Sequence, residues 1–129
     1  MFKQVTVTLM SGPRDGTILA FPLPKDFPMS SLVLTIGRRE GLDISLEYDS
    51  QVSRLHAHLM FDGEQFWLED TGSRNGTFIG EDRLPPNERR PVLPDMLFRV
   101  GRTWMRLDPL PTDVTAAADP INPDDGTLF

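Results

Sequence analysis

Short runs of alternating apolar and polar residues, each cut off by Gly, Pro, Asn or Asp, follow one another along most of this 129-residue chain. Val5-Thr6-Val7-Thr8-Leu9 is the plainest of them. Apolar, β-branched side chains at every second position form a strip that buries one face as a strand. Ser11 to Gly16 is a turn cluster, and Thr17 to Phe21 resumes as a strand, which predicts an opening hairpin. Leu23 to Ser30 carries two prolines and reads as a loop. Further runs follow at Leu32–Ile36, Asp43–Leu46, His56–Phe61, Gln65–Asp70, Thr77–Ile79, Arg83–Leu84, Arg90–Leu93, Met96–Val100 and Thr103–Leu107. Asp62-Gly63 between two of them is a hairpin signal. No stretch sustains a helical period. About eleven short strands at close spacing predict an all-β fold, an antiparallel β-sandwich.

The length fits one domain with a single hydrophobic core. Residues 1–108 hold all the strand-like runs; 109–129 turn to Pro, Asp, Ala and Thr, which predicts an acidic tail with little fixed structure. No apolar run approaches the roughly 20 residues that cross a bilayer, and the first residues lack the charged leader and apolar stretch of a secretory signal. The chain has no cysteine, so disulfides and thiolate metal sites are excluded, and a cytoplasmic setting is expected. The formal charge is −6, of which −4 belongs to Asp113, Asp119, Asp124 and Asp125 in the tail, leaving −2 on the body. Nucleic-acid binding needs a basic surface that neutralises phosphates, and this balance argues against it.

Three polar segments fall where the strand pattern breaks: Gly37-Arg38, Ser53-Arg54-Leu55-His56, and Thr71 to Thr77. Together they bring Arg38, Arg54 and Arg74, several hydroxyls, the Asn75 amide and glycine-freed backbone N–H groups. Nearly all are donors, which suits an anion with several oxygens, phosphate above all. Arg39 would face the other side of an extended chain and is secondary. Other chemistries fare worse. Ser53 and His56 invite a hydrolase reading, but no orienting carboxylate or oxyanion hole is identifiable; His56 reads instead as a residue that hydrogen-bonds back to pin its loop. His56 and His58, two apart on one strand face, could share a metal, yet with two histidines and no cysteine in all, only carboxylates remain to complete the site. Sugar stacking would need exposed aromatics, whereas Trp67 and Trp104 lie within strand patterns and read as core.

In combination and order, Ile36-Gly37-Arg38, Val52-Ser53-Arg54-Leu55-His56-Ala57 and Leu68 to Ile79 resemble the forkhead-associated (FHA) domain, a likeness covering about residues 32–108. The resemblance implies a β-sandwich that binds phosphothreonine peptides with the loops at one end, in Ser/Thr kinase signalling, without catalysis or cofactor. The alternative on the same fold is a scaffold whose pocket takes a folded partner or its own tail, which carries Thr112, Thr115 and Thr127, with phosphate incidental. The partner it implies is a phosphothreonine-containing protein or peptide, a Ser/Thr kinase or its substrate, and neither nucleic acid nor membrane. By that pattern Arg38 and Ser53 contact phosphate, Arg54 and Arg74 add phosphate or peptide contacts, and Asn75 holds peptide main chain. His56 supports the loop, Gly37 and Gly76 give the backbone its shape, and Thr77 completes the supporting set. One departure is Pro94-Asp95, where the family usually carries Gly-Asp.

Overall fold

The computed structural model describes residues 3–110. The expected tail lies, from 111 onward, outside the described residues; Leu110 packs against the core. Among the described residues there are eleven strands and no helix: β1 (Gln4–Leu9), β2 (Ile18–Pro22), β3 (Leu32–Gly37), β4 (Ile44–Ser45), β5 (Ala57–Phe61), β6 (Phe66–Asp70), β7 (Thr77–Ile79), β8 (Asp82–Arg83), β9 (Arg89–Val92), β10 (Leu97–Val100) and β11 (Thr103–Leu107). One sheet runs β2-β1-β11-β10-β7-β8 and the other β4-β3-β5-β6-β9.

Most neighbours are antiparallel, as the alternation and tight turns require. The opening hairpin pairs Val5 with Phe21. In the β5–β6 hairpin Leu59 faces Leu68, and the Asp62 carboxylate accepts the N–H groups of Glu64 and Gln65 at 2.9 and 2.8 Å, closing the turn. One pair differs from an all-antiparallel expectation: β3 and β4 run parallel, with Ile36 beside Ile44. Asp43 holds this doubling-back by accepting the Thr35 N–H at 2.9 Å and the Thr35 hydroxyl at 3.0 Å. So short a return is possible because β4 is only two residues long.

Alternate side chains from both sheets meet between them. Val5, Val7 and Leu9 of β1, Phe98 and Val100 of β10, and Met105 and Leu107 of β11 oppose Leu34, Ile36, Leu59, Phe61 and Leu68. Phe61 stacks on Phe66 at 4.3 Å and on Phe27, from the Leu23–Ser30 loop, at 5.6 Å. Each such side chain stabilises the fold by roughly 1.5–3 kcal/mol on burial, so the interior holds the fold and exposed arginines contribute little. The tryptophans correct the sequence reading. Both occupy strands, but each alternates with buried neighbours and sits half-buried on an outer face. Trp67 donates its indole N–H to Asp62 at 3.2 Å, and Trp104 lies under the Arg99 guanidinium at 5.5 Å.

Register fixes which loops share an end. Ile36 pairs with Ala57 and Ala57 with Asp70, while Val100 pairs with both Thr77 and Thr103. The β3–β4, β4–β5, β6–β7 and β10–β11 connections therefore emerge together. The Pro94-Asp95 turn is at the other end, where Asp95 donates its N–H to Leu107 O at 2.8 Å. Asp95 takes φ 70°, a left-handed conformation that Asp tolerates better than most side chains.

Candidate functional site

The loop end is organised around a buried imidazole. His56 precedes β5, is fully buried, and donates nothing to solvent. Its Nδ1 accepts the Ser53 N–H at 3.0 Å. That assigns the proton to Nε2, which donates to Gly76 O at 2.8 Å. The ring thus ties the β4–β5 loop to the start of β7, one from each sheet. Burial lowers its pKa from the ordinary histidine value, against the opposing pull of the Gly76 carbonyl and the Asp70 carboxylate. His58, by contrast, is half-buried within β5, opposite Thr35. Among the described residues no group of three His, Cys, Asp or Glu is placed to hold a metal ion.

The β6–β7 turn hangs on Asp70. Its carboxylate accepts the N–H groups of Gly72 and Ser73 at 2.8 and 2.9 Å, the Ser73 hydroxyl, and the buried Thr77 hydroxyl at 2.7 Å. Burial alone would raise the Asp70 pKa; these donors outweigh it and hold it below the ordinary aspartate value. Ser73 Oγ in turn accepts the Gly76 N–H at 3.0 Å. Gly76 has φ 89°, a conformation costly for a side-chain-bearing residue, and its missing Cβ leaves room for Arg83, whose Nε would lie 2.7 Å from it. Thr71 fastens the turn to the β4–β5 loop by donating to Leu55 O at 2.9 Å.

On this frame the polar side chains named from the sequence come together. The Arg38 N–H reaches Ser53 O at 3.0 Å, and its Nε donates to Val52 O at 2.9 Å, which aims the side chain along the β4–β5 loop. Its two terminal nitrogens have no partner among the described residues. Ser53 Oγ accepts the Arg74 N–H at 3.1 Å, so its own proton is left to donate outward. Asn75 donates from Nδ2 to Gln51 O at 2.8 Å, keeping its carbonyl oxygen and second N–H available. Arg54 and Arg74 are exposed, with side chains unpaired among the described residues. Arg39 joins only through its backbone, donating to Arg54 O at 3.2 Å. Gly37 permits the closeness of the two loops: a Cβ there would stand 2.1 Å from Arg54 O. Ser53 and His56 are adjacent, but the imidazole accepts from the serine N–H and not from its hydroxyl.

Several supporting residues escaped the sequence reading. Asp49 is buried and accepts from Gln51 N–H at 3.0 Å, Arg102 N–H at 2.8 Å and the Thr103 hydroxyl at 2.7 Å, fastening the β4–β5 loop to the β10–β11 turn. Its one local signal is an aspartate two residues before a turn N–H, which is common to many loops. A cleft of about 200 Å³ opens beside it, lined by Gly12, Pro13, Tyr48, Ser50, Arg102 and Thr103 among others. The Tyr48 hydroxyl is buried with no hydrogen-bond partner among the described residues.

The FHA-domain family model matches residues 34–101. Protein FraH of Nostoc is 30% identical over 106 residues, covering 78% of this chain and 34% of FraH. The FHA domain-containing protein FhaB of Mycobacterium tuberculosis is 31% identical over 81 residues, covering 63% of this chain and 50% of FhaB. The chain thus spans a third to a half of these curated relatives. Among solved structures, the FHA domain of the CT664 protein from Chlamydia trachomatis superposes with TM-score 0.69 at 18% identity, covering 84% of this chain and 99% of that one. The N-terminal FHA domain of Saccharomyces cerevisiae Rad53, solved with a phosphothreonine peptide, superposes with TM-score 0.63 at 20% identity, covering 81% and 90%. With the family model matching more than half of its length and the same fold in these structures, the chain belongs to the FHA-domain family.

Proposed function

We propose that this domain binds phosphothreonine-containing segments of other proteins at its loop end, without catalysis, in cytoplasmic signalling by Ser/Thr kinases. The partner is a kinase or a protein that the kinase modifies. The observation that carries the reading is the joint placement of Arg38, Ser53 and Asn75 on three loops at one end, with Arg38 bonded to the β4–β5 loop and His56 tying that loop to the β6–β7 turn. A phosphorylated hydroxyl brings about −1.5 to −2 charge and three strong acceptors at pH 7. Arg38 pairs with that charge through its free terminal nitrogens, Ser53 donates its proton to another oxygen, and Arg54 and Arg74 raise the local positive potential. Asn75, with one acceptor and one donor to spare, holds the ligand main chain as a strand neighbour would. The cleft beside Tyr48 and Asp49 is assigned to a flanking side chain of the ligand.

The non-catalytic part rests on the imidazole. Both His56 nitrogens are committed to backbone groups, which leaves no base positioned on the Ser53 hydroxyl. The test is calorimetric titration with a degenerate peptide pool carrying fixed phosphothreonine, set against the unphosphorylated pool. Tight binding of the first and none of the second is expected. Equal binding of the two pools would overturn the proposal.

A further inference from the structure

The outer face of the six-stranded sheet carries a ladder of alternating rings and cations that ends at the loop end. Register places Trp104 beside Arg99, Arg99 beside Phe78, and Phe78 beside Arg83. Arg99 is committed: its guanidinium lies 4.1 Å from the Phe78 ring and 5.5 Å from Trp104, and it donates to Gly101 O at 2.7 Å. Arg83 is not. It is exposed, lies 5.9 Å from the Phe78 ring, and its side chain has neither hydrogen bond nor carboxylate partner among the described residues. Its neighbour Asp82 pairs with Ile79, so strand alternation turns that carboxylate to the other face.

The position of Arg83 is set by the site itself. Its Nε and Cζ would lie 2.7 and 2.9 Å from a Cβ at Gly76, so the guanidinium rests on the backbone that follows Asn75. The two buried carboxylates of the loop end cannot claim it. Asp70 is buried and saturated by its four donors, and Asp49 is likewise buried and bonded. Glu40 and Asp43 of the β3–β4 loop and Glu47 after β4 share their stretch of chain with Arg38 and Arg39, and Asp43 is bonded to Thr35 while Glu47 accepts from Ser45. Arg74 and Arg83 thus flank the Asn75-Gly76 turn as exposed cations whose side chains have no carboxylate partner among the described residues.

We propose that Arg83 reads the ligand: it takes the carboxylate of an Asp or Glu close in sequence to the residue whose main chain Asn75 holds, so the preferred ligand is an acidic phosphothreonine segment. This rests on the phosphothreonine reading above and adds a residue and a sequence preference to it. A guanidinium held over a ring by packing loses little freedom on pairing, and its fork matches a carboxylate. The pair is exposed, so its effect is modest, about 3- to 10-fold in affinity and smaller at high salt.

The experiment uses synthetic phosphothreonine peptides with a common core, flanked either by Asp/Glu or by Asn/Gln, titrated at low and high salt. Wild-type protein should bind the acidic peptide about 3- to 10-fold more tightly. Arg83→Gln should abolish that difference by weakening the acidic peptide much more than the neutral one, and Arg83→Glu should reverse it. Arg90→Gln, which removes a cation that already faces Glu88 at 3.1 Å, should keep the difference intact. An acidic preference that survives Arg83→Gln, or no preference in the wild type, overturns the inference. If phosphorylated and unphosphorylated peptides bind alike, it is the parent reading that fails.

Discussion

Among single residues, Arg38 and Ser53 do different work, and their variants should separate. Arg38 spends only Nε on the protein, at Val52 O. Its removal deletes the main charge partner of a phosphate in a specific site, a loss of about 2–5 kcal/mol of binding. Calorimetry on Arg38→Ala should show this with a nearly unchanged melting temperature, because the side chain is exposed. Binding equal to wild type would remove Arg38 from the site. Arg38→Lys should also bind poorly, since a point charge replaces the fork that keeps one arm on Val52 O while offering two to the ligand. Ser53→Ala loses a donor to a charged oxygen and also the acceptor of the Arg74 N–H. Its expected cost is about 1.5–3 kcal/mol in affinity; a competition assay in which it matches wild type would argue that the hydroxyl only orders the Arg74 turn.

Where strands meet loops, the limiting contact is Gly37 against Arg54 O. A Cβ at 2.1 Å from a carbonyl oxygen cannot be relieved by a side-chain rotation, since the obstacle is backbone. Gly37→Ala should therefore displace the β4–β5 loop, destabilise the fold by about 1–3 kcal/mol and weaken phosphopeptide binding together. A denaturant midpoint equal to wild type would show that the loop can move freely. Most of these elements could be read from the sequence, because strands with period-two burial and Gly- or Asp-containing turns declare themselves locally: Val5 to Leu9 and Asp62-Gly63 needed no partner to be recognised. The parallel pairing of β4 could not, since two residues carry no period and direction is set by the Asp43–Thr35 bonds across the sheet. Likewise Arg38, Ser53 and Asn75 stood out by type and order. Asp49 and Asp70 did not, because a buried anchoring carboxylate looks in sequence like any solvated turn aspartate until the N–H groups around it are placed. The tryptophans misled for a related reason: alternation says that one face is inside, and not which.

At the level of the whole molecule, one of the ties between the two sheets is the titratable His56, so global stability should follow pH. His56 is neutral in the folded state, with Nδ1 accepting from Ser53 and Nε2–H donating to Gly76 O. Its folded pKa lies below 6.5 because burial disfavours the imidazolium. Between that lowered value and 6.5 the unfolded chain binds the extra proton and the folded one does not, so stability rises with pH through this interval. The contribution is complete above about 6.5 and is lost as pH falls toward the folded value. Asp70, depressed below 3.8, adds a second loss only under more acid conditions. Urea unfolding of the free domain at pH 7.5, 6.5, 5.5 and 5.0 should therefore show a midpoint that declines below pH 6.5. In His56→Gln, which can accept and donate at one end but cannot titrate, the midpoint should be lower at pH 7.5 and its decline across the same interval should flatten. Protonation also inverts Nδ1 from acceptor to donor, setting it against the Ser53 N–H, so the loop that carries Ser53 loosens before the sheets part. The protection factor of the Ser53 N–H, taken against the slower intrinsic exchange at low pH, should accordingly fall at pH 5.5, while amides in the middle of β5 keep theirs. If the wild-type midpoint is flat from pH 7.5 to 5.0, or falls equally in His56→Gln, the imidazole does not hold the two sheets in the way its hydrogen bonds require.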